Sequence, residues 1–344
     1  MSSTKIGVIG AGVIGLSTAL NIVESIPDAE VTIMANIFSP NTTGDYSAGL
    51  WEPFVTSGAN ILRWSKVTFD HLVELAQSPL AGRIGAQFCS GYQLGECNIN
   101  WSDIVLGFRP MTKEELALFP TSGVTMGSFF TTVMIECSMY LPWLMHRFKE
   151  KGGLVFHRRV NSFEEIADEF DLVVNCAGLA ARDLTNDNTL KAIRGQVVKV
   201  LAPWIKHFVV LDHQYDPGHV AYVLPGAKAV TVGGTIQEGN WEETVDEKDK
   251  LGIWKRCTEL LPSLTEAKYL YDWAGLRPFR PEVRLELEEL KTAKGKQLPV
   301  IHNYGHGGSG VTLHWGCALD AVAIVKDTIQ KYCTKSRSTH PSKL

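Results

Sequence analysis

The sequence predicts an α/β fold: a Rossmann-like parallel sheet interleaved with a mainly antiparallel β domain. Three observations carry that prediction. Residues 5–9 form a short apolar strand that runs into Gly10-Ala11-Gly12-Val13-Ile14-Gly15 and on into a helical stretch. Asp171-Leu-Val-Val-Asn-Cys-Ala-Gly178 is a second apolar strand ending in a glycine turn, as strands buried on both faces of a parallel sheet read. Residues 190–240 instead alternate and are rich in β-branched residues, as in Gln196-Val-Val-Lys-Val-Leu201 and Ala229-Val-Thr-Val-Gly233. That is the period-two pattern of an antiparallel sheet.

The other elements follow in order. A first strand–helix–strand unit covers residues 4–36. An amphipathic helix is expected over 63–77, and short strands and loops over 78–130. A helix follows over 140–151, where Tyr140, Leu141, Leu144 and Phe148 recur at helical spacing. A strand is expected over 153–160 and a short helix over 163–170. A last helix runs over 312–330, with Leu319, Val322, Ala323 and Val325 on its apolar side. No repeat or low-complexity run interrupts the chain.

Composition narrows the class. The chain has 344 residues, 45% hydrophobic and 20% charged, with net charge −4. That is ordinary for a globular protein and gives no electrostatic reason to expect nucleic acid or an anionic membrane as a partner. No apolar run reaches membrane-spanning length. The chain enters its first strand almost at once, which leaves no room for a signal peptide. Seven scattered cysteines form no C-x-x-C pair, so reduced, buried thiols are expected. No histidine–cysteine cluster has metal-ligand spacing.

The first turn carries chemistry. In a strand–turn–helix setting, Gly10 permits the tight turn, Gly12 lets the backbone approach a pyrophosphate, and Gly15 with Ala19 lets the helix lie close. The helix start offers unpaired N–H groups and a positive dipole end to phosphate. The bland alternative is an ordinary βα turn. A ribose-binding acid should follow about 20 residues on. Ala35-Asn36-Ile37 stands there instead, and Asn36 bonds a hydroxyl without a carboxylate's charge. No arginine neighbours it in sequence to take a 2′-phosphate, which disfavours NADP. Residues 39–54 are small and polar, and Thr42, Thr43, Ala48 and Gly49 suit a cradle for phosphate and an aromatic ring system.

A second glycine loop, His302-Asn-Tyr-Gly-His-Gly-Gly-Ser-Gly-Val-Thr312, feeds the last helix. A helix start suits negative charge developing on a reduced flavin. Upstream, Gly275-Leu-Arg277-Pro-Phe-Arg280-Pro-Glu-Val-Arg284 sets three arginines among prolines. Arginine's planar fork suits a carboxylate, but pairing with Glu286 or Glu288 is the competing expectation. Tyr222 is a strand aromatic, a position more often core than ligand.

Together these segments resemble the D-amino-acid oxidase family, which includes the D-aspartate oxidases. The likeness is carried by residues 7–19, Thr42-Thr43 with Ala48-Gly49-Leu50, Val105-Leu-Gly-Phe-Arg109, Val174-Asn-Cys-Ala-Gly178, Arg194-Gly-Gln196, Pro203-Trp204, Gly233-Gly234, residues 275–284 and 302–316. The resemblance implies FAD bound in an extended form. It implies a discontinuous FAD-binding domain (1–55, 141–190, 270–330), a substrate domain (56–140, 191–269) and a flexible tail (331–344). Arg277 would clamp the substrate carboxylate and touch the cofactor. Tyr222 would be its hydroxyl partner, and the backbone at Gly308 would receive the amine. Gly307, Gly308, Ser309, Gly310, Val311 and Thr312 would meet the flavin and Val160 would lie near it. Gly10, Ala11, Gly12, Val13, Ile14, Gly15, Asn36, Thr42, Thr43, Ala48, Gly49 and Leu50 would hold the rest.

The implied reaction is oxidative deamination of D-amino acids to 2-oxo acids, ammonia and hydrogen peroxide, driven by orientation rather than by a side-chain base. The implied partners are a D-amino acid and molecular oxygen; a homodimer stays open. The alternatives are a D-aspartate oxidase acting on acidic D-amino acids, an NAD-dependent dehydrogenase and a non-catalytic flavoprotein. Departures from the family pattern bear on the choice. Gly218 stands where a second active-site tyrosine is usual, Glu52 where an amide is common, and Ile236 where D-aspartate oxidases carry an arginine. These favour neutral or basic substrates, unless His219, His306 or a re-aimed Arg280 supplies the missing charge. Phe130-Thr-Thr132, Glu136-Cys137 and Tyr140-Leu-Pro-Trp143 look closer to D-aspartate oxidases. The closing Ser342-Lys343-Leu344 reads as an address for the peroxisomal import receptor, hence the peroxisomal matrix.

Overall fold

The computed structural model describes residues 3–95, 99–119, 124–211 and 219–338, with the side chains of 219 and 333–338 outside that description. The first unit is β1 (Thr4–Ile9), α1 (Val13–Ser25) and β2 (Ala29–Ala35). Then come α2 (Ile61–Gln77), α3 (Ala81–Ile84), β3 (Ala86–Leu94), β4 (Leu106–Pro110), α4 (Lys113–Leu116), β5 (Gly127–Ile135) and α5 (Cys137–Glu150). They are followed by β6 (Leu154–His157), β7 (Leu172–Asn175), α6 (Ala181–Thr185), β8 (Lys191–Leu201), β9 (Phe208–Leu211), β10 (His219–Pro225), β11 (Val230–Thr235) and β12 (Gln237–Glu238). The chain closes with α7 (Glu247–Leu260), β13 (Lys268–Lys291), β14 (Gln297–His306) and α8 (Gly310–Ser338).

Among the described residues the strands join in one path, β4-β5-β3-β9-β10-β11-β8-β13-β14-β7-β1-β2-β6, with β12 paired to β8. The stretch β14-β7-β1-β2-β6 is parallel. The stretch β9-β10-β11-β8-β13 is antiparallel. The two meet in β13. Its first half pairs with β8 and its second half with β14, with a register shift between Phe279 and Arg284. Pro281 falls inside that shift, and proline has no N–H to give a ladder.

Each sheet has its own core. Ile6, Val8, Leu16, Leu20, Ile22 and Ile33 are buried around β1, β2 and α1. Val198, Val200, Val223 and Val232 pack with Ile253, Cys257 and Leu260 of α7. Burial of this kind stabilises each element by roughly 25 cal/mol per Å² of apolar surface.

Local differences from the sequence reading have plain causes. Only Phe163–Glu165 is helical, a single 3-10 turn, because Ile166, Ala167 and Phe170 are spent on a buried cluster with Met34 and Val173. The strand expected over 153–160 stops at His157, and residues 158–160 leave the ladder. The last helix begins at Gly310, two residues early. The five cysteines whose side chains are described, Cys89, Cys137, Cys176, Cys257 and Cys317, are buried and unpaired. Burial pushes the Cys89 thiol up to about 11 and those of Cys137, Cys176 and Cys257 to about 12. No helix among the described residues is long and apolar enough to cross a membrane. None of their His, Cys, Asp or Glu residues form a group of three that could hold a metal ion.

Candidate functional site

A cavity of about 1320 Å³ opens where the parallel strands end against the antiparallel sheet. Its wall takes residues just past β1 (Gly10–Ile14), β2 (Asn36, Ile37), β6 (Arg158–Asn161) and β7 (Cys176–Ala180), and the loop after β14 (Gly307, Gly308). These are all carboxyl ends of strands, the crevice where open α/β sheets bind ligands. The volume exceeds the roughly 300–1,000 Å³ of a site for one drug-sized molecule.

One end has the form of a phosphate seat. Gly10 has φ +109°, and a Cβ there would stand 2.3 Å from the Cys176 carbonyl oxygen. Gly12 caps α1 in extended backbone (φ −76°, ψ −178°), and nothing lies within 4 Å of where its Cβ would be. So Gly10 serves the turn and Gly12 leaves open space. No side chain caps α1 and no acid occupies its first turn, which leaves its first N–H groups for an anion. Gly15 stands off the cavity wall. A Cβ there would meet the Gly10 carbonyl oxygen at 2.0 Å, so it lets the helix seat on the turn. Thr42, Thr43, Ala48, Gly49, Leu50 and Val160 all line the cavity.

At the ribose position the structure corrects the expectation that no arginine stands beside Asn36. Strand β6 pairs parallel with β2, and the Arg158 N–H donates to the Ala35 carbonyl at 2.9 Å. Both Arg158 and Arg159 therefore line the cavity next to Asn36 and Ile37. Glu169 holds the Arg158 guanidinium at 2.7 and 2.9 Å. Arg159 has no ion pair among the described residues. Sequence adjacency cannot reveal a neighbour delivered by strand pairing.

The other end is built on β8, β10, β11 and β13. The Arg277 guanidinium donates to the Thr235 carbonyl at 3.0 Å, interacts electrostatically with the Tyr222 side chain and lies 5.7 Å from the Phe54 ring centre. Among the described residues no carboxylate pairs with it. It faces the cavity, yet the enclosing protein desolvates it enough to lower its pKa. Burial raises the Tyr222 pKa, so its hydroxyl stays protonated at neutral pH. Glycines make room for this pair: a Cβ at Gly195 would stand 2.4 Å from Arg277 Nη2, and one at Gly233 would stand 2.2 Å from Tyr222 Cζ.

The loop after β14 closes the site. Gly307 N–H donates to the Pro278 carbonyl at 2.9 Å and Gly308 N–H to the Val55 carbonyl at 3.2 Å. What the loop can offer an amine is therefore a carbonyl oxygen. Gly310, Val311 and Thr312 line the cavity at the start of α8, but Ser309 does not. Ser309 is fully buried. Its hydroxyl takes the Phe54 N–H at 2.7 Å and donates to the Phe54 carbonyl at 2.8 Å. Thr312 grips Glu52 the same way, at 3.2 and 2.8 Å. Both residues stitch segment 52–54 to the helix start.

The other two arginines follow the structural expectation. Arg280 is bound by Asp187 at 2.9 Å, and Arg284 by Glu286 and Glu288 at 2.7 and 2.9 Å. Neither lines the cavity, and neither does Ile236. Gly218 and Ser342-Lys343-Leu344 lie outside the described residues, as does the His219 side chain.

Two cavity residues, Gln93 and Asn303, escaped the sequence reading, and His306 was considered only as a source of charge. All three are buried, and among the described residues Gln93 Oε1, Asn303 Oδ1 and His306 Nε2 each lack a hydrogen-bond partner. Buried polar atoms left unpaired in a native fold point to a missing partner. Asn303 and His306 sit inside the glycine loop; Gln93 gave no signal beyond its strand pattern.

These features fit FAD. The open space at Gly12 and the uncapped α1 accept a pyrophosphate, and the cavity continues past it to the start of α8. The residues that would hold the cofactor are Gly10–Ile14, Asn36, Thr42, Thr43, Ala48–Leu50 and Gly310–Thr312.

Comparisons with known proteins agree. Residues 5–324 match the family described as DAO, FAD dependent oxidoreductase. The chain is 42% identical to a D-aspartate oxidase of Homo sapiens, covering 96% of both chains. It is 36% identical to a D-amino acid oxidase of Dugesia ryukyuensis, covering 95% of this chain and 98% of the other. Among solved structures, the glycine oxidase of Bacillus cereus shares the fold with TM-score 0.73 at 18% identity, over 95% of this chain and 96% of that one. With the family model spanning nearly the whole chain and a relative at this level of identity, the protein belongs to the DAO family of FAD-dependent oxidoreductases.

Proposed function

We propose that the chain is a D-amino-acid oxidase. The overall reaction converts a D-amino acid, oxygen and water to a 2-oxo acid, ammonia and hydrogen peroxide. The observation that carries this reading is Arg277, a desolvated cation facing a ligand cavity with no carboxylate partner among the described residues. A buried charge without a counter-ion is costly, and a substrate carboxylate is the natural partner for a planar guanidinium.

Bound FAD supplies the two-electron acceptor. This chain's residues bind and orient. Arg277 takes the carboxylate through its fork, and the Tyr222 hydroxyl adds a donor. The carbonyl oxygens of the glycine loop face the amine. Phe54 and Val55 give an apolar wall. Among the described residues no carboxylate pairs with Arg277, and positioning is the main device.

The test is peroxide release by the FAD-loaded protein with matched D- and L-amino acids. Peroxide from D but not L substrates supports the reading; none from any amino acid overturns it. The relative at 42% identity is named a D-aspartate oxidase, which keeps acidic substrates as the second reading. The terminal Ser342-Lys343-Leu344 supports import into peroxisomes through a tail receptor. Deleting the tripeptide should leave activity intact and move the protein to the cytosol.

A further inference from the structure

Resting on that reading, we propose that Gln93 is a specificity-determining residue: its side-chain amide closes the far end of the substrate seat and selects D-amino acids whose side chains end in a carboxamide. D-Glutamine is then preferred over D-methionine and D-glutamate.

The first argument is where Gln93 stands. Strand register runs from it in one row across the sheet. Gln93 pairs with Val210, Val210 with Tyr222, Tyr222 with Gly233 and Gly233 with Val197. Residues opposite one another on neighbouring strands share a face of the sheet. Gln93, Val210, Tyr222 and Val197 all line the cavity. Two strand steps, roughly 10 Å in all, separate Gln93 from Tyr222, with Val210 between them. The Tyr222 ring leans the other way. A Cβ at Gly233 would stand 2.2 Å from its Cζ, and one at Gly234 would stand 2.6 Å from its hydroxyl oxygen. The ring therefore covers β11, on the Arg277 side, and leaves the path over Val210 open. Leu224, two residues along β10 from Tyr222, also lines the cavity. An amino acid held by its carboxylate at Arg277 and Tyr222 thus finds an apolar floor of Val210 and Leu224, with Gln93 at its end.

The second argument is what Gln93 lacks. It is only 4% exposed, and its Oε1 has no hydrogen-bond partner among the described residues. A buried amide left unpaired is destabilising, and a ligand that pairs with it relieves that cost. The last torsion of a glutamine is broad and two-fold, so either the oxygen or the NH2 group can turn to a ligand. A primary amide both donates and accepts, and the group that answers both at once is a second carboxamide. A thioether or alkyl end leaves the amide unpaired. An ammonium or guanidinium end has nothing to accept from the NH2 group. A carboxylate end meets no cation among the described residues of the wall. Arg277 is taken by the α-carboxylate, and Arg158 and Arg159 follow β6, at the opposite end of the strand path from β3. His306 is in the wall, but burial lowers its pKa to about 3 and it stays neutral. A second substrate carboxylate would therefore be desolvated without a counter-charge among these residues.

The experiment is steady-state kcat/KM of the FAD-loaded enzyme for D-glutamine, D-glutamate, D-lysine and D-methionine. It is repeated with Gln93→Met, which keeps the length and removes the amide, and with Gln93→Leu as a second apolar variant. D-Glutamine should lead D-methionine by about tenfold, what one well-made hydrogen bond contributes, and lead D-glutamate by more. Either variant should lower the D-glutamine to D-methionine ratio by about tenfold, mainly as a rise in KM for D-glutamine, because the contact is made alike in ground and transition states. D-Glutamate or D-lysine matching or beating D-glutamine overturns the inference without any variant. So does a D-glutamine to D-methionine ratio that stays unchanged in a variant that holds FAD. D-Methionine turnover with D-glutamine no better removes this inference alone; no peroxide from any D-amino acid removes the proposed function with it.

Discussion

Gly195 and Arg277 stand on neighbouring strands, and the guanidinium of one lies against the bare backbone of the other. A Cβ at Gly195 would come within 2.4 Å of Nη2 and 2.5 Å of Cζ. Gly195→Ala should therefore push the clamp off its seat without touching the cofactor end. One charge-assisted hydrogen bond contributes about 1.5–3 kcal/mol. Both Gly195→Ala and Arg277→Met should thus lose about ten- to a hundredfold in kcat/KM while retaining FAD. Near-normal kcat/KM in either variant would remove Arg277 from the carboxylate.

The parallel half of this fold was legible because its strands and first helix carry periodic, uninterrupted apolar patterns. The glycine turn was legible because Gly10 and Gly12 do what backbone sterics require there. Arg277 could be separated from Arg280 and Arg284 only through resemblance, since all three read alike among prolines. Their real difference is tertiary: Asp187, which binds Arg280, comes from the loop between α6 and β8. Arg159 beside Asn36 and Gln93 in the wall were invisible for the same reason. Strand pairing between distant segments put them there. Ser309, which the resemblance set against the flavin, stands off the cavity wall, and its hydroxyl clamps Phe54.

Gly12 gives a clean separation of cofactor binding from folding. Its φ of −76° suits any residue, and the space beyond it is open. Gly12→Val should leave the cofactor-free protein as stable as before, within about 0.5 kcal/mol. Its branched side chain would fill the space a pyrophosphate needs. Flavin-fluorescence titration should show FAD affinity falling by tenfold or more. Unchanged affinity would mean that phosphate does not approach this turn.

Arg159 is expected to help hold the adenosine end, where Asn36 lacks a carboxylate's charge. A guanidinium can stack on an adenine ring or pair with a phosphate. Arg159→Met should weaken FAD several-fold, and weaken ADP as a competing ligand alike. Riboflavin, which has neither adenosine nor phosphate, should bind unchanged. Equal weakening of riboflavin would point to a general disturbance of the site rather than to Arg159 itself.

Acid should destabilise the fold through buried histidines, and the direction follows from their surroundings. His314 Nδ1–H donates to the Val311 carbonyl at 2.7 Å, and its Nε2 accepts from the Tyr140 hydroxyl at 2.9 Å. His71 stacks on Trp315 at 3.6 Å and reaches the same hydroxyl at 3.3 Å. Burial holds His71 and His306 down to about 3 and His314 to about 4, against an ordinary value of 6.5. All three are thus neutral when folded and take up a proton on unfolding once the pH is below 6.5. Stability is fully present above 6.5 and falls as pH drops towards 4, by about 1.4 kcal/mol per pH unit for each proton taken up. Between pH 6.5 and 5.5 ordinary carboxylates are still ionised in both states, so this window isolates the imidazoles. Urea midpoints should fall there, and His71→Gln should remove about one proton from the slope. A flat midpoint across that window would show that these rings are protonated in the folded protein.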